Sequence, residues 1–318
     1  MSNMKVALGR TIDYMRISIT DRCNLRCKYC MPYGVECVPR WDILSLEEIQ
    51  AVGICAAGLG IRHIKVTGGE PLVRRDCCQL VKQLQSTPGT EKVTITTTGV
   101  LLERYLDDLA EAGIDGINIS LDPLDRDLYQ RITGTDALGT VMEAVRRACA
   151  MPVSVKINAV SIDCSQMDKE QREAGQDGWR QMVELAREYP VDVRFIERMP
   201  LGTTQTGQTT SADIALNRLR ARWPQLKPIS EPRGNGPARY FRAPDMQGCL
   251  GLIDAVSHGF CDRCNRLRLT STGLLTPCLC YEQGVELRPL LRGGADADAT
   301  RNARRGPSLQ NTPPHGSP

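Results

Sequence analysis

Cys23, Cys27 and Cys30 stand in a C-x3-C-x2-C pattern inside the run Thr20-Asp21-Arg22-Cys23-Asn24-Leu25-Arg26-Cys27-Lys28-Tyr29-Cys30. Three thiolates this close together suit one face of a cubane iron-sulfur cluster and leave the fourth iron without a protein ligand. A structural zinc site is instead closed by four ligands, and Cys37 would complete one here. A second set lies far along the chain, as Cys261-Asp262-Arg263-Cys264 and then Cys278 after thirteen intervening residues. Read alone, the C-x-x-C pair suits a thioredoxin-type redox pair or half a zinc ribbon, and Cys280 offers a fourth ligand that would close the site. An open iron is a place for chemistry, whereas a closed tetrahedral site holds structure.

The elements that must position these cysteines are legible as repeated βα units. Short β-branched runs alternate with amphipathic stretches from Tyr14 to Met199, the signature of a parallel sheet. Six strands are predicted, over Tyr14 to Thr20, His63 to Thr67, Lys92 to Thr97, Gly116 to Asp122, Val153 to Val160 and Asp192 to Met199. The first helix opens on Ser45-Leu46-Glu47-Glu48, a capping box that satisfies free amides of its first turn. Six such units make an incomplete TIM-type barrel, in which ligands gather at the C-terminal ends of the strands. Both the cysteine loop and Gly68-Gly69-Glu70-Pro71 fall there.

Side chains alternate faces along a strand. Met15, Ile17 and Ile19 therefore oppose Arg16, Ser18 and Thr20, and Ile64 and Val66 oppose Lys65 and Thr67. The same split sets Val93 and Ile95 against Thr94 and Thr96, Ile117 and Ile119 against Asn118 and Ser120, and Val155 and Ile157 against Lys156 and Asn158. Val193 and Phe195 likewise oppose Arg194. A lumen carrying Arg16, Lys65, Lys156 and Arg194 needs partners for its cations. An anionic ligand would supply them, and a triphosphate is a natural candidate. For any one strand a solvated polar face explains as much; five strands agreeing is harder to dismiss.

The cysteine triad, with Arg16-Ile17-Ser18-Ile19-Thr20 before it and Gly68-Gly69-Glu70-Pro71 after a strand, resembles the radical S-adenosylmethionine (SAM) enzymes. Cys261, Cys264 and Cys278 narrow the resemblance, over roughly residues 10 to 294, to the GTP 3′,8-cyclase family of molybdenum cofactor biosynthesis. The resemblance implies two 4Fe-4S clusters. On the first, held by Cys23, Cys27 and Cys30, the open iron chelates SAM, whose cleavage releases a 5′-deoxyadenosyl radical. Gly69 matches the contact to its methionyl part, and Tyr29, Ser120 and Met199 match positions that hold the rest. The second, on Cys261, Cys264 and Cys278, meets the purine of the substrate. Arg16, Lys65, Thr96, Lys156 and the segment Arg266-Leu267-Arg268 match positions that bind GTP, with Arg194 assisting catalysis. The guanidinium forks of Arg266 and Arg268 suit phosphate oxygens or a purine edge.

The implied reaction removes the C3′ hydrogen of GTP and joins that carbon to C8, giving 3′,8-cyclo-7,8-dihydroguanosine triphosphate on the way to molybdopterin. An unidentified electron donor is implied, as is a cyclic pyranopterin monophosphate synthase acting on the product, with the chain a monomer or homodimer. Two rivals are a radical SAM peptide-modifying enzyme with an auxiliary cluster and a non-catalytic zinc-stabilised binding protein. Two departures stand out: Lys65 where bacterial relatives commonly carry arginine, and Thr98 where the family has asparagine.

The 318 residues, 41% hydrophobic, supply a sizeable core, and a net charge of +3 is too mild to argue for nucleic acid. Met1 to Arg10 lacks the apolar run of a secretory signal, and no apolar segment approaches membrane-spanning length. Fourteen cysteines in such a chain point to metal binding in a reducing compartment, the cytoplasm. Cys55, Cys77, Cys78, Cys149 and Cys164 read as small buried hydrophobes. His63, His258 and His315 show no catalytic spacing. Neither a P-loop nor a complete G-x-G-x-x-G occurs, and Gly234-Asn235-Gly236-Pro237 follows no convincing strand. Composition changes after Met199, which divides the chain into a barrel over 1–200, a cluster and substrate region over 201–294, and an apolar-poor, disordered tail over 295–318. Relatives carry a terminal Gly-Gly there that reaches the active site. Its absence here leads to the expectation of intact clusters and SAM cleavage with slow or absent GTP cyclisation.

Overall fold

A computed structural model of the chain describes residues 4–5, 10–30, 37–122, 124–161, 169–197, 199, 212–257, 259–280 and 283–293. The expected tail over 295–318, residues 202–211, Cys164, His258 and His315 lie outside the described residues.

The alternation of apolar and polar residues sorts the sheet faces as the sequence predicts. Met15, Ile17, Ile19, Val66, Val93, Ile95, Ile117, Ile119, Ile157 and Val193 are fully buried in one continuous core. Emptying one such position to alanine would cost about 2–5 kcal/mol. The strands are β1 (Met4–Lys5), β2 (Thr11–Ile12), β3 (Tyr14–Ser18), β4 (His63–Thr67), β5 (Lys92–Thr97), β6 (Gly116–Ser120), β7 (Ser154–Ser161) and β8 (Val191–Glu197). Helices α1 (Leu46–Gly58), α2 (Cys77–Gln85), α3 (Leu102–Glu111), α4 (Arg126–Thr133), α5 (Leu138–Cys149) and α6 (Lys169–Glu188) connect β3 to β8. The capping box forms: Ser45 Oγ accepts from the Glu48 amide at 3.1 Å, and Glu48 Oε2 accepts from the Ser45 amide at 2.6 Å.

The C-terminal region adds α7 (Ala212–Arg222), β9 (Lys227–Ile229), β10 (Arg239–Arg242), β11 (Leu250–Ile253), β12 (Arg266–Leu269), β13 (Leu274–Thr276), β14 (Val285–Glu286) and α8 (Arg288–Arg292). One sheet runs in the order β14-β13-β12-β3-β4-β5-β6-β7-β8-β11-β10-β9. The six expected strands are thus extended, because β12 pairs parallel with β3 and β11 pairs parallel with β8. Antiparallel strands finish both ends, and β14 and β9 have no closing partner among the described residues. The barrel is open.

Residues 254–257 and 259–265 lead from the C-terminal end of β11, beside β8, to the N-terminal end of β12, beside β3. Buried Glu197 at the end of β8 anchors the start of this strap, accepting from the amides of Val256 at 2.8 Å and Ser257 at 2.9 Å. Asn265 anchors its end: its carbonyl accepts from Tyr14 N at 3.2 Å, and its Nδ2 donates to Asp13 Oδ1 at 2.6 Å.

Candidate active site

The first cysteine loop leaves the C-terminal end of β3 and is braced on two sides. On one, the amides of Gly69 and Glu70 donate to the carbonyls of Thr20 (2.9 Å) and Arg22 (2.8 Å). The two backbones meet so closely that a Cβ on Gly69 would lie 2.6 Å from the Arg22 carbonyl carbon, and one on Gly68 would lie 2.6 Å from Thr20 O. Only glycine fits such an approach. On the other side, the amides of Arg26 and Lys28 donate to Thr133 O (2.8 Å) and Ile132 O (3.0 Å) at the end of α4.

Glu70, fully buried, fastens the strand ends together. Its Oε1 accepts from the Leu72 amide (3.0 Å) and Thr97 Oγ1 (2.8 Å), and its Oε2 accepts from the Thr98 amide (2.5 Å). Thr98 Oγ1 in turn donates to Asn24 Oδ1 at 3.0 Å. Thr98 thus ties the β5 turn to the cysteine loop.

Burial, followed by the charge of Asp122, pushes the Cys27 thiol up to about 12, and burial raises Cys23 and Cys30 as well. Cys30 also raises Cys23, and Cys30 and Cys23 both raise Cys27. Such a set needs a metal's positive charge to persist as thiolates. Among the described residues, no three Cys, His, Asp or Glu side chains gather where one ion would bind. Three thiols on one short loop suit a cubane with an iron at each sulfur and the fourth iron open. Tyr29 donates to Asp122 Oδ2 at 2.5 Å, while Asp122 Oδ1 accepts from the Val160 amide. Ser120 and Met199 are half-buried at the ends of β6 and β8.

The second set lies at the opposite end of the sheet. Arg10 Nη1 donates to the carbonyls of Cys261 (2.7 Å) and Cys264 (3.3 Å), which the strap delivers to the N-terminal end of β3. The five residues of β3 run between the two sets, roughly 17 Å of strand. The expectation that ligands gather at the C-terminal ends therefore holds for the first loop and Gly69 but not for the second set. Cys280 is close to Cys278, its amide 3.5 Å from that sulfur, and Cys278 and Cys261 both raise its thiol after burial. Every cysteine among the described residues is a free thiol.

Between the sets, the N-terminal half of the lumen encloses a cavity of about 520 Å³. Arg16, Lys65, Lys156, Arg194 and Arg266 line it, and their positions follow from register: Arg16 pairs with Lys65 and Arg268, and Asn118 with Lys156. Burial drives Lys65 well below the usual ammonium range, helped by Arg194 and Arg16, and it brings Lys156 to about 8. Arg268, between the lumen and the second thiols, is lowered by burial to about 10. Arg194 donates to Asn118 Oδ1. The Nε atoms of Arg16, Arg194 and Arg266 and Thr96 Oγ1 are buried without a hydrogen-bond partner. Arg266 lies over the rings of Tyr14 and Phe260, 5.8 and 5.4 Å from their centroids. Leu267 turns its side chain into the core, so only its backbone can face a ligand.

Tyr14, Asn118, Asp192 and Arg233 also line the cavity without being singled out in sequence. Residues 234–237 do follow a strand, the three-residue β9, and line the cavity too, although no helix follows to make a phosphate-binding motif. Asn118 carried a signal, its place on the polar face of β6. Arg233, in a proline- and glycine-rich stretch, carried none beyond its charge.

Two family models match the chain: Radical SAM superfamily over residues 17–163 and Molybdenum Cofactor Synthesis C over residues 191–314. The second reaches past residue 294, where the resemblance was expected to stop. The GTP 3′,8-cyclase of Moorella thermoacetica is 42% identical over 296 residues, covering 92% of this chain and 88% of the relative. That of Pelotomaculum thermopropionicum is 41% identical over 297 residues, covering 92% and 89%. Among solved structures, Streptococcus suis SuiB bound to S-adenosylmethionine shares the fold with a TM-score of 0.64 at 17% identity, covering 90% of this chain and 66% of that one. No helix among the described residues is long and apolar enough to cross a membrane. On sequence identity over nearly its whole length, with the fold and both cysteine sets in place, this chain belongs to the GTP 3′,8-cyclase family of radical SAM enzymes.

Proposed function

We propose that the chain binds GTP in the lumen between two iron-sulfur clusters and converts it to (8S)-3′,8-cyclo-7,8-dihydroguanosine 5′-triphosphate, an early intermediate of molybdenum cofactor biosynthesis. The observation that carries this reading is the lumen's charge. Arg16, Lys65, Lys156, Arg194 and Arg266 line one cavity, and Asp192 is the one carboxylate ion-paired with any of them among the described residues. Desolvated cations with orphaned N–H groups call for a polyanion, and a triphosphate supplies one.

In this reading Cys23, Cys27 and Cys30 hold the first cluster, and Tyr29, Gly69, Ser120 and Met199 hold SAM against it. When bound, these groups supply a 5′-deoxyadenosyl radical. Arg16, Lys65, Thr96 and Lys156 orient the nucleotide from the wall, and Arg266, Arg268 and the backbone of Leu267 orient it beside the second cluster on Cys261, Cys264 and Cys278. Arg194, fixed by Asn118, sets its charge against the reacting nucleotide as the catalytic residue. Residues 1–200 serve the SAM half of the reaction and residues 201–294 the second cluster and substrate half. A separate reductant donates the electron, a cyclic pyranopterin monophosphate synthase consumes the product, and the free thiols suit the reducing cytoplasm.

The test is anaerobic incubation of the reconstituted protein with SAM, reductant and GTP, following 5′-deoxyadenosine and the cyclised nucleotide separately. Formation of both supports the reading. Radical formation that depends on a peptide and ignores GTP would replace it with a peptide-modifying enzyme, and colourless zinc protein would replace it with a binding module.

A further inference from the structure

Asp192, Lys156, Arg233 and Gly234 interlock at the N-terminal mouth of the lumen. Asp192, 3% exposed near the start of β8, accepts from Arg233 Nε at 2.9 and 3.0 Å and lies 2.8 Å from Arg233 Nη2. The same carboxylate stands 3.6 Å from Lys156 Nζ. Gly234, with φ of +122°, presses against that ammonium, since a Cβ there would come within 3.0 Å of Nζ. Tyr240 completes the unit: its hydroxyl accepts from Lys156 at 3.4 Å and donates to the Arg233 carbonyl at 3.5 Å. One carboxylate thus serves a lysine of the lumen wall and the arginine of a glycine-bearing loop.

We propose that Asp192 is the positioning residue for Lys156, holding its ammonium charged and aimed at the nucleotide's phosphates, and that Arg233 competes for the same carboxylate while latching the loop over the lumen mouth. This rests on the reading of Lys156 as a GTP contact. The groups facing Lys156 have opposing effects. Burial and then Arg194 on β8 lower its proton affinity, Asp192 raises it and Arg233 lowers it again. Asn118 on β6 is its register partner, Tyr240 faces it from β10, and Lys65 on β4 adds a further cation. Removing Asp192 should therefore make the lysine lose its proton at lower pH, and removing Arg233 should make it hold the proton to higher pH. A merely structural pair would not produce opposite shifts.

GTP binding to the reconstituted protein with SAM present, measured by titration calorimetry from pH 6 to 9.5, reads this directly. In the unaltered protein, affinity should fall as pH rises through about 8. In Asp192→Asn the fall should begin about one pH unit lower, giving roughly twofold weaker binding near pH 7, approaching tenfold above about pH 9, and near-normal binding in acid. In Arg233→Gln it should begin at higher pH. Lys65 also titrates, but Arg194, Arg16, Lys156 and Arg266 act on it, so its share is common to all variants to first order. The nucleotide's own protonation is common to all as well. Lys156→Met separates the two readings. If it leaves GTP binding untouched at every pH, the assignment of Lys156 as a GTP contact fails. If it weakens binding while Asp192→Asn and Arg233→Gln keep the normal profile, or shift it the same way, the positioning role is overturned. Iron content and SAM affinity report folding, and should Asp192→Asn lose both, the direction of the Arg233→Gln shift decides alone.

Discussion

Arg16 and Lys65 are register partners on β3 and β4, so two half-buried basic side chains stand side by side with no carboxylate paired to either among the described residues. Such a pair is costly in the empty protein and useful only to an anion. Lysine carries the charge of an arginine but not its bidentate fork. Lys65→Met is expected to weaken GTP binding by about 1.5 to 3 kcal/mol, the usual loss for a charged hydrogen bond, while leaving SAM affinity intact and stabilising the ligand-free protein. Burial favours the neutral amine, so GTP binding should also take up protons, and the variant should take up fewer. Calorimetry in buffers of different ionisation enthalpy measures both quantities. An unchanged GTP dissociation constant would remove Lys65 from the site.

Anaerobically reconstituted protein should carry about eight irons, two cubanes of four. Replacing Cys23, Cys27 and Cys30 together with alanine should leave about half, and replacing Cys261, Cys264 and Cys278 should leave the other half. Because the sets lie at opposite ends of the sheet, neither loss should carry the other with it. Cys280 is the informative control: Cys280→Ala should keep all the iron, and a loss of four irons would make it a ligand and close the second site.

Six strands and their buried faces were legible because period-two alternation survives wherever one face meets helices and the other a polar lumen. The capping box at Ser45 and Glu48 was legible for a local reason, since both partners lie within one turn. β9, β10 and β11 were not foreseen: each is only three or four residues long, too short to show alternation, and β9 carries Pro228 and β11 Gly251 besides. The first cysteine set could be placed because its loop follows a readable strand. The second could not, because its position depends on residues 254–257 and 259–265 leading from β11 to β12, a matter of topology rather than pattern. Asp192 and Arg233 stayed hidden for the same reason, being 41 residues apart on elements whose contact no local signal announces.

Gly69→Ala tests the bracing of the cysteine loop. The added methyl group would meet Arg22 backbone, with its carbonyl carbon at 2.6 Å, and backbone cannot swing aside as a flexible side chain can. The loop carrying Cys23, Cys27 and Cys30 should be displaced, with SAM binding lost and the first cluster's iron reduced. GTP affinity should change by less than about threefold, since the phosphate-facing cations lie nearer the other end of the strands; a factor of that size is under about 0.7 kcal/mol. Equilibrium dialysis of both ligands with iron analysis distinguishes the outcomes, and SAM binding at full strength would show that the turn tolerates a side chain.

Lys156 gives the ligand-free protein a pH signature whose sign can be worked out. Its folded-state value is about 8, below the ordinary 10.5 of the unfolded chain. Between these values the unfolded state binds the proton and the folded state does not, so stability rises with pH across that window. Below pH 8 both states are protonated and the cost of burying the ammonium is fully present. The group's contribution across the window is about 3 kcal/mol at most, at roughly 1.4 kcal/mol per unit. Buried thiols act in the opposite direction, because their raised values let the unfolded chain ionise first. The comparison must therefore be with Lys156→Met, which keeps the thiols and lacks the lysine. Urea unfolding of both proteins at pH 7.5 and pH 10 should show the unaltered protein gaining on the variant as pH rises. Saturating GTP should erase most of the difference, because its phosphates hold the proton on the bound lysine. A constant gap between the two proteins at both pH values would mean that Lys156 keeps an ordinary ammonium in the lumen.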